Sequence, residues 1–199
     1  MTINENSNYH PESITAVILA GGAGRRMNNQ DKGLLQWYDT PLIEHVLKTV
    51  PQDIKRIIIS CNRNQDRYRH YADTVMDTIS GFQGPLAGIY AALRAVHTPY
   101  AFILPCDSPC PPLDLLAKLY QTHHKHHADI TYASDGERDQ YLFALLNTQL
   151  SDNLGGYLAS GGRSVNQWYR QCNSVSADFS GQQQAFQNLN TIDDITSQT

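Results

Sequence analysis

The chain has 199 residues, 41% hydrophobic and 17% charged, enough to bury a core without a disulfide or metal staple. Fifteen Lys and Arg against 19 Asp and Glu leave a formal charge of −4. That balance argues against a nucleic-acid coat and a polybasic membrane anchor, but leaves room for small anionic ligands. No apolar run approaches the roughly 18 residues of a membrane span. Residues 1–13 are polar, with neither a basic start nor an apolar block, and read as a disordered leader. Cys61, Cys106, Cys110 and Cys172 form no Cys-x2-Cys pair and read as ordinary thiols of a reducing cytoplasm rather than a zinc site.

Strand-length apolar runs alternate with helical patterns, the signature of βαβ units and a mostly parallel sheet. Ile14 to Ala20 reads as the first strand, with a Gly-rich loop directly after it. A helix follows from Pro41 to Val50, then an isoleucine-rich strand from Arg56 to Ser60 and a short one from Thr74 to Met76 that ends on Asp77. Gly84-Pro85 opens a helix to Val96, with Leu86, Ile89, Tyr90 and Leu93 on one face. Tyr100 to Leu104 is continuously apolar and reads as a central strand buried on both faces. Pro111-Pro112 starts a helix with Leu115, Leu116 and Leu119 inward, ending in a solvated His123 to His127 run. Ile130 to Ala133 and Leu142 to Leu146 read as strands; helices follow near 149–158 and 163–171, and a strand near 174–179. Tyr68, Tyr71, Tyr90 and Tyr120 fall at core-edge spacing. The expectation is one three-layer α/β/α domain over 14–199, Rossmann-like, with a small C-terminal subregion.

The first loop, Leu19-Ala20-Gly21-Gly22-Ala23-Gly24-Arg25-Arg26-Met27 followed by Asp31-Lys32-Gly33, carries the most information. Glycines after a buried strand let backbone N–H groups approach an anion. Met27 replaces the third glycine of a Gly-x-Gly-x-x-Gly fingerprint, and no Gly-Lys-Ser/Thr occurs, so neither a dinucleotide fold nor a P-loop is supported. Three cations, Arg25, Arg26 and Lys32, fall within eight positions and suit a triphosphate at a strand's C-terminal end. Taken alone, the loop fits a surface turn with solvated arginines equally well.

Together with Gly84-Pro85-Leu86-Ala87-Gly88, Pro105-Cys106-Asp107-Ser108-Pro109, Asp135-Gly136-Glu137-Arg138-Asp139 and Phe186-Gln187-Asn188-Leu189-Asn190-Thr191, the loop resembles the nucleotidylyltransferase superfamily, and more closely the molybdenum cofactor guanylyltransferases. The resemblance runs over about residues 14–195. It implies transfer of GMP from Mg-GTP to the terminal phosphate of molybdopterin bearing molybdenum, giving the guanine dinucleotide cofactor and pyrophosphate. It also implies Asp107 as the Mg²⁺ ligand, Lys32 and Arg25 as phosphate-binding catalytic groups, and Leu19, Ala20, Gly21 and Gly22 as the nucleotide-binding turn. Asp77 matches the family's nucleotide-binding aspartate, and Asn62 its asparagine. On the residues alone, Asp107 could instead cap the following helix.

The attacking phosphate is already largely anionic at neutral pH, so no general base is needed and positioning with charge neutralisation suffices. Ser60 stands where some relatives have Asn, and Gln140-Tyr141 where they often have His-Pro. Arg163, Asn188 and Asn190 are candidates for the pterin side, or equally a solvated arginine and turn asparagines. The implied partners are GTP and molybdopterin, with recipient apo-molybdoenzymes, their chaperones or a GTP-binding accessory protein beyond them. The alternatives are a cytidylyltransferase acting on molybdopterin or a sugar phosphate, and a non-catalytic cofactor carrier, which would not need both Lys32 and Asp107.

Overall fold

A computed structural model describes residues 9–21, 30–79, 84–189 and 194. Its strands are β1 (Ile14–Leu19), β2 (Gln36–Trp37), β3 (Thr40–Pro41), β4 (Arg56–Ser60), β5 (Asp73–Val75), β6 (Tyr100–Pro105), β7 (Ile130–Ser134), β8 (Asp139–Asn147) and β9 (Ser174–Asp178). The α-helices are α1 (Leu42–Thr49), α2 (Gln65–Tyr68), α3 (Pro85–Ala95), α4 (Leu115–His126), α5 (Ser151–Ala159) and α6 (Val165–Tyr169). β2 and β3 form a two-stranded hairpin, and the other strands make a seven-stranded sheet in the order β5-β4-β1-β6-β8-β7-β9. Only β8 runs against the rest, pairing antiparallel with β6 and β7.

Alternation along β1 explains the layers. Ala16 and Ile18 face a core completed by Ile43 and Val46 of α1 and Leu115, Leu116 and Leu119 of α4. Val17 faces the opposite core, with Leu86, Ile89 and Leu93 of α3 and Leu154 and Leu158 of α5. A strand buried on both faces reads as an uninterrupted apolar run, as β1 and β6 do. From β1 the chain moves outward through β4 and β5, then returns to β6 on the other side. The order therefore reverses between β1 and β6, where open α/β sheets bind ligands at their carboxyl edge.

Two expectations change. Residues 9–13, the described part of the leader, are ordered: Pro11–Ser13 form a 3-10 turn, and the buried Tyr9 donates its hydroxyl to Asp53 (3.2 Å) and packs on Tyr120. An aromatic ring reaching a covered pocket outweighs the polar composition around it. His123 also departs from the solvated histidine run, being only 4% exposed with Nδ1 3.1 Å from the Thr131 hydroxyl. His124, Lys125, His126 and His127 are exposed, and His127 closes the helix in the left-handed region at φ 49°.

Burial, and secondarily the neighbouring His124, pushes the His123 imidazole from 6.5 down to about 4. The folded state therefore favours the neutral ring. Its contribution is complete above the unfolded value near 6.5 and is lost as pH falls toward 4. Urea unfolding should lose at most about 3 kcal/mol from this group between pH 7 and 4. His123→Gln should flatten that part of the profile; an unchanged acid slope would contradict the assignment.

Candidate active site

The carboxyl ends of β1, β4, β5 and β6 converge on one group of side chains. Lys32 Nζ lies 2.7 Å from Asp107 Oδ2, both side chains about one-fifth exposed at 21%. Asp107 follows β6, and Lys32 opens a 3-10 turn, Lys32–Leu34, after the glycine loop. The Asp-Lys-Gly order has a mechanical reason at each residue. Asp31 is clamped by the Tyr68 hydroxyl (2.5 Å) and Asn64 Nδ2 (2.9 Å). A Cβ on Gly33 would lie 2.5 Å from the Tyr68 oxygen, so only glycine lets that ring reach Asp31. Lys32, held between them, projects to Asp107. Tyr68 is fully buried, as its core-edge spacing suggested, but its hydroxyl also anchors this segment. Neither that role nor Asn64 was read from the sequence; Gly33 directly after Lys32 was the available signal.

A second pair lies at the ends of β4 and β5. Asn62 Nδ2 donates to Asp77 Oδ2 (2.7 Å), and the Asp77 N–H donates to Asn62 Oδ1 (2.9 Å). Asp77 Oδ1 is buried with no hydrogen-bond partner among the described residues. Burial pushes the Asp77 carboxyl up, and the Asn62 bond opposes that shift. Gly21 backs onto this pair, since a Cβ there would sit 3.4 Å from Asn62 Nδ2. A Cβ on Gly88, in the first turns of α3, would lie 2.6 Å from Ser60 Oγ and 3.6 Å from Asp77 Oδ1. Glycine there brings α3 down onto the pair. Ser60 is itself buried beneath Gly88, whereas Asn62 faces Gly21 and Asp77.

The Leu19 carbonyl accepts from Cys106 N–H (3.1 Å), and Ala20 N–H donates to Ser60 O (2.8 Å). The sheet thus already uses part of the expected nucleotide turn. Gly22, Arg25 and Asn190 lie outside the described residues.

The C-terminal segment completes the site. Leu189 N–H donates to Asp107 O (2.8 Å), Asn188 Oδ1 accepts from the buried Ser108 hydroxyl, and Leu189 packs with Leu42 beside Leu35 and Trp37. Asn188 is thereby placed beside Asp107. Arg163 is not: its Nη1 donates to the carbonyls of Leu158 (2.8 Å) and Gly162 (2.5 Å), closing the end of α5.

Cys61 and Cys106 are buried close by, and burial raises both thiols, Cys61 to about 11, so they stay protonated at neutral pH. No cluster of three or more His, Cys, Asp or Glu among the described residues could hold a metal by itself. Asp107 offers one hard oxygen ligand. That fits a Mg²⁺ ion, which takes one or two carboxylates and completes its sphere with substrate phosphates and water. No described helix is long and apolar enough to cross a membrane.

A lysine–aspartate pair at the switch point of a mostly parallel sheet suits a nucleotidyltransferase of Rossmann-like α/β fold. A family profile described as "MobA-like NTP transferase domain" matches residues 16–175. The chain is 44% identical to the molybdenum cofactor guanylyltransferase of Mannheimia succiniciproducens, over 93% of this chain and 98% of that one. It is 41% identical to the enzyme of that name from Shewanella amazonensis, over 92% and 93%. The crystal structure of molybdopterin-guanine dinucleotide biosynthesis protein A from Archaeoglobus fulgidus superposes with a TM-score of 0.76 at 25% identity, over 92% and 95%. The chain belongs to the molybdenum cofactor guanylyltransferase family.

Proposed function

We propose that the chain transfers GMP from Mg-GTP to the terminal phosphate of molybdenum-bearing molybdopterin, releasing pyrophosphate. The observation that carries this reading is the Lys32–Asp107 pair at the switch point, with the Asn62–Asp77 pair beside the same glycine turn. In this reading Asp77 accepts from the N1–H and N2–H donors of guanine. Its buried Oδ1 lacks a donor among the described residues, and an unsatisfied buried acceptor costs on the order of 1–3 kcal/mol. Guanine offers two adjacent donors where adenine offers an acceptor and one amino group. Asn62 holds Asp77 in register, and Leu19, Ala20, Gly21 and Gly22 bind the nucleotide through their backbone groups.

Lys32, with Arg25 of the loop, neutralises the triphosphate, and Asp107 holds Mg²⁺. When bound, that ion supplies Lewis-acid neutralisation of charge on the α-phosphate and the leaving pyrophosphate. The residues around it bind and orient. The Tyr68 and Asn64 clamp on Asp31 fixes the backbone that carries Lys32, and the Leu189 bond fixes the Asp107 loop. An already anionic phosphate needs no proton removed, so the site needs no base. Asn188, with Asn190, serves the acceptor side, while Arg163 closes the end of α5. Free thiols and a soluble pair of substrates suit a cytoplasmic enzyme that hands its product to apo-molybdoenzymes or their chaperones.

Pyrophosphate release with molybdopterin, Mg²⁺ and each of GTP, CTP and ATP tests the reading. Turnover with GTP is expected. Turnover with CTP alone would make the chain a cytidylyltransferase, and tight dinucleotide binding without turnover would make it a carrier.

A further inference from the structure

Beside Asp107 opens a cleft of about 550 Å³ whose walls include Asp135, Arg138, Gln140, Asn188 and Leu189. It adjoins the site through the Leu189–Asp107 backbone bond and the Ser108–Asn188 contact. Its described lining contains four carboxylates, Asp135, Glu137, Asp139 and Asp194, and a single Lys or Arg, which is Arg138. Within the described lining, that guanidinium is the one cation available to a phosphate dianion.

The turn that carries Arg138 is built tightly. Asp135 is 3% exposed; its Oδ1 accepts from the N–H groups of Glu137 (2.9 Å) and Arg138 (2.7 Å), and its Oδ2 from Gln140 Nε2 (2.7 Å). Asp135 N–H donates to Arg138 O (3.0 Å), closing the turn, and Gln183 Nε2 donates to Asp135 O (3.0 Å), tying it to the facing wall. Gly136 has φ 89°, and a Cβ there would lie 2.6 Å from Ser180 Oγ and 3.3 Å from Ser180 Cα. Burial by itself would raise the Asp135 carboxyl, but the bonds from Gln140, Arg138 and Glu137 hold it below the usual carboxylate range. Arg138 thus hangs from a backbone that needs little further ordering on binding.

We propose that Arg138 holds the terminal phosphate of the molybdopterin acceptor, and that Asp135 is the positioning residue that aims it at the nucleotide bound beside Asp107. The assignment rests on the acceptor named above. A guanidinium is suited to it because its planar fork grips two phosphate oxygens at once and keeps its charge at any working pH. Gln140, which stands where relatives often have His, acts here as one of the donors that hold Asp135.

Metal-free molybdopterin binding, followed by pterin fluorescence without nucleotide, tests the assignment together with the KM values of both substrates. Arg138→Ala should weaken molybdopterin binding at least about tenfold and raise its KM alike, leaving the GTP KM within about twofold. Arg138→Lys should fall between that variant and the wild type, because charge persists and the fork is lost. Asp135→Asn should weaken molybdopterin binding too, and adding it to Arg138→Ala should cost little more, since both act through one contact. If Asp135→Asn does not fold, Gln140→Ala removes one donor and should give a smaller rise in molybdopterin Kd. Wild-type molybdopterin binding by Arg138→Ala would overturn the proposal. So would an equal rise in the GTP KM, which would move Arg138 to the leaving pyrophosphate. Additive losses in the double variant, or no change in Gln140→Ala, would overturn the role of Asp135. A wild-type protein that binds molybdopterin but turns over no nucleotide would defeat the transfer reading alone, because the Arg138 assignment is decided by binding.

Discussion

Asp107→Ala is expected to lower kcat by about 10³-fold or more, equivalent to about 4 kcal/mol of transition-state stabilisation. The carboxylate is a hard oxygen ligand placed for a magnesium ion, and its loss also removes a partner of Lys32. Folding should be little affected. The pair is partly exposed, where an ion pair contributes at most about 1 kcal/mol, and the Leu189 bond uses the Asp107 backbone rather than its side chain. Steady-state kinetics alongside thermal unfolding would separate the two effects. A near wild-type kcat in a folded variant would remove Asp107 from the reaction.

Asp77→Asn should erase most of the preference for GTP over ATP. An asparagine keeps the shape and the backbone bond to Asn62 Oδ1, but turns one of two acceptors into a donor that faces the guanine donors. The kcat/KM for GTP should fall about 10²-fold or more, while that for ATP moves far less. The magnitude follows from the asymmetry of buried polar groups: an unmatched donor or acceptor costs more than a matched one gains. Competition kinetics with both nucleotides measures it directly. An unchanged ratio would show that another group reads the base.

Much of this site can be read from the sequence, because glycines and charges record local demands. Lys32, Asp107 and Asp77 each follow or flank a strand whose apolar run marks it, and β4 begins and ends at Arg56 and Ser60 as its isoleucines suggest. Gly33 and Gly88 also stand in the motifs, although only the structure gives their reasons: each lies where a Cβ would strike Tyr68 or Ser60. What stayed hidden is tertiary. The hairpin of β2 and β3 has two residues a side, too few for any period to show. α2 spans four residues, yet it delivers Tyr68 to Asp31 across 37 positions of sequence. The reversed direction of β8 leaves no trace in an apolar run, since both parallel and antiparallel strands buried on two faces look alike. The inward turn of His123 is set by Thr131 on β7, which composition at a helix end cannot reveal. Arg163 shows the converse: a motif-like arginine whose guanidinium is engaged by the end of the preceding helix, α5.

The central claim is that a nucleotidyl group, rather than a phosphoryl group or an intact nucleotide, moves across the site between Asp77 and Asp107. Incubation with molybdopterin, Mg²⁺ and GTP labelled either at the α- or at the γ-phosphate tests this most directly. The α-label should appear in the pterin dinucleotide and the γ-label only in pyrophosphate. A γ-label in the pterin product, or no covalent transfer of either label, would contradict it.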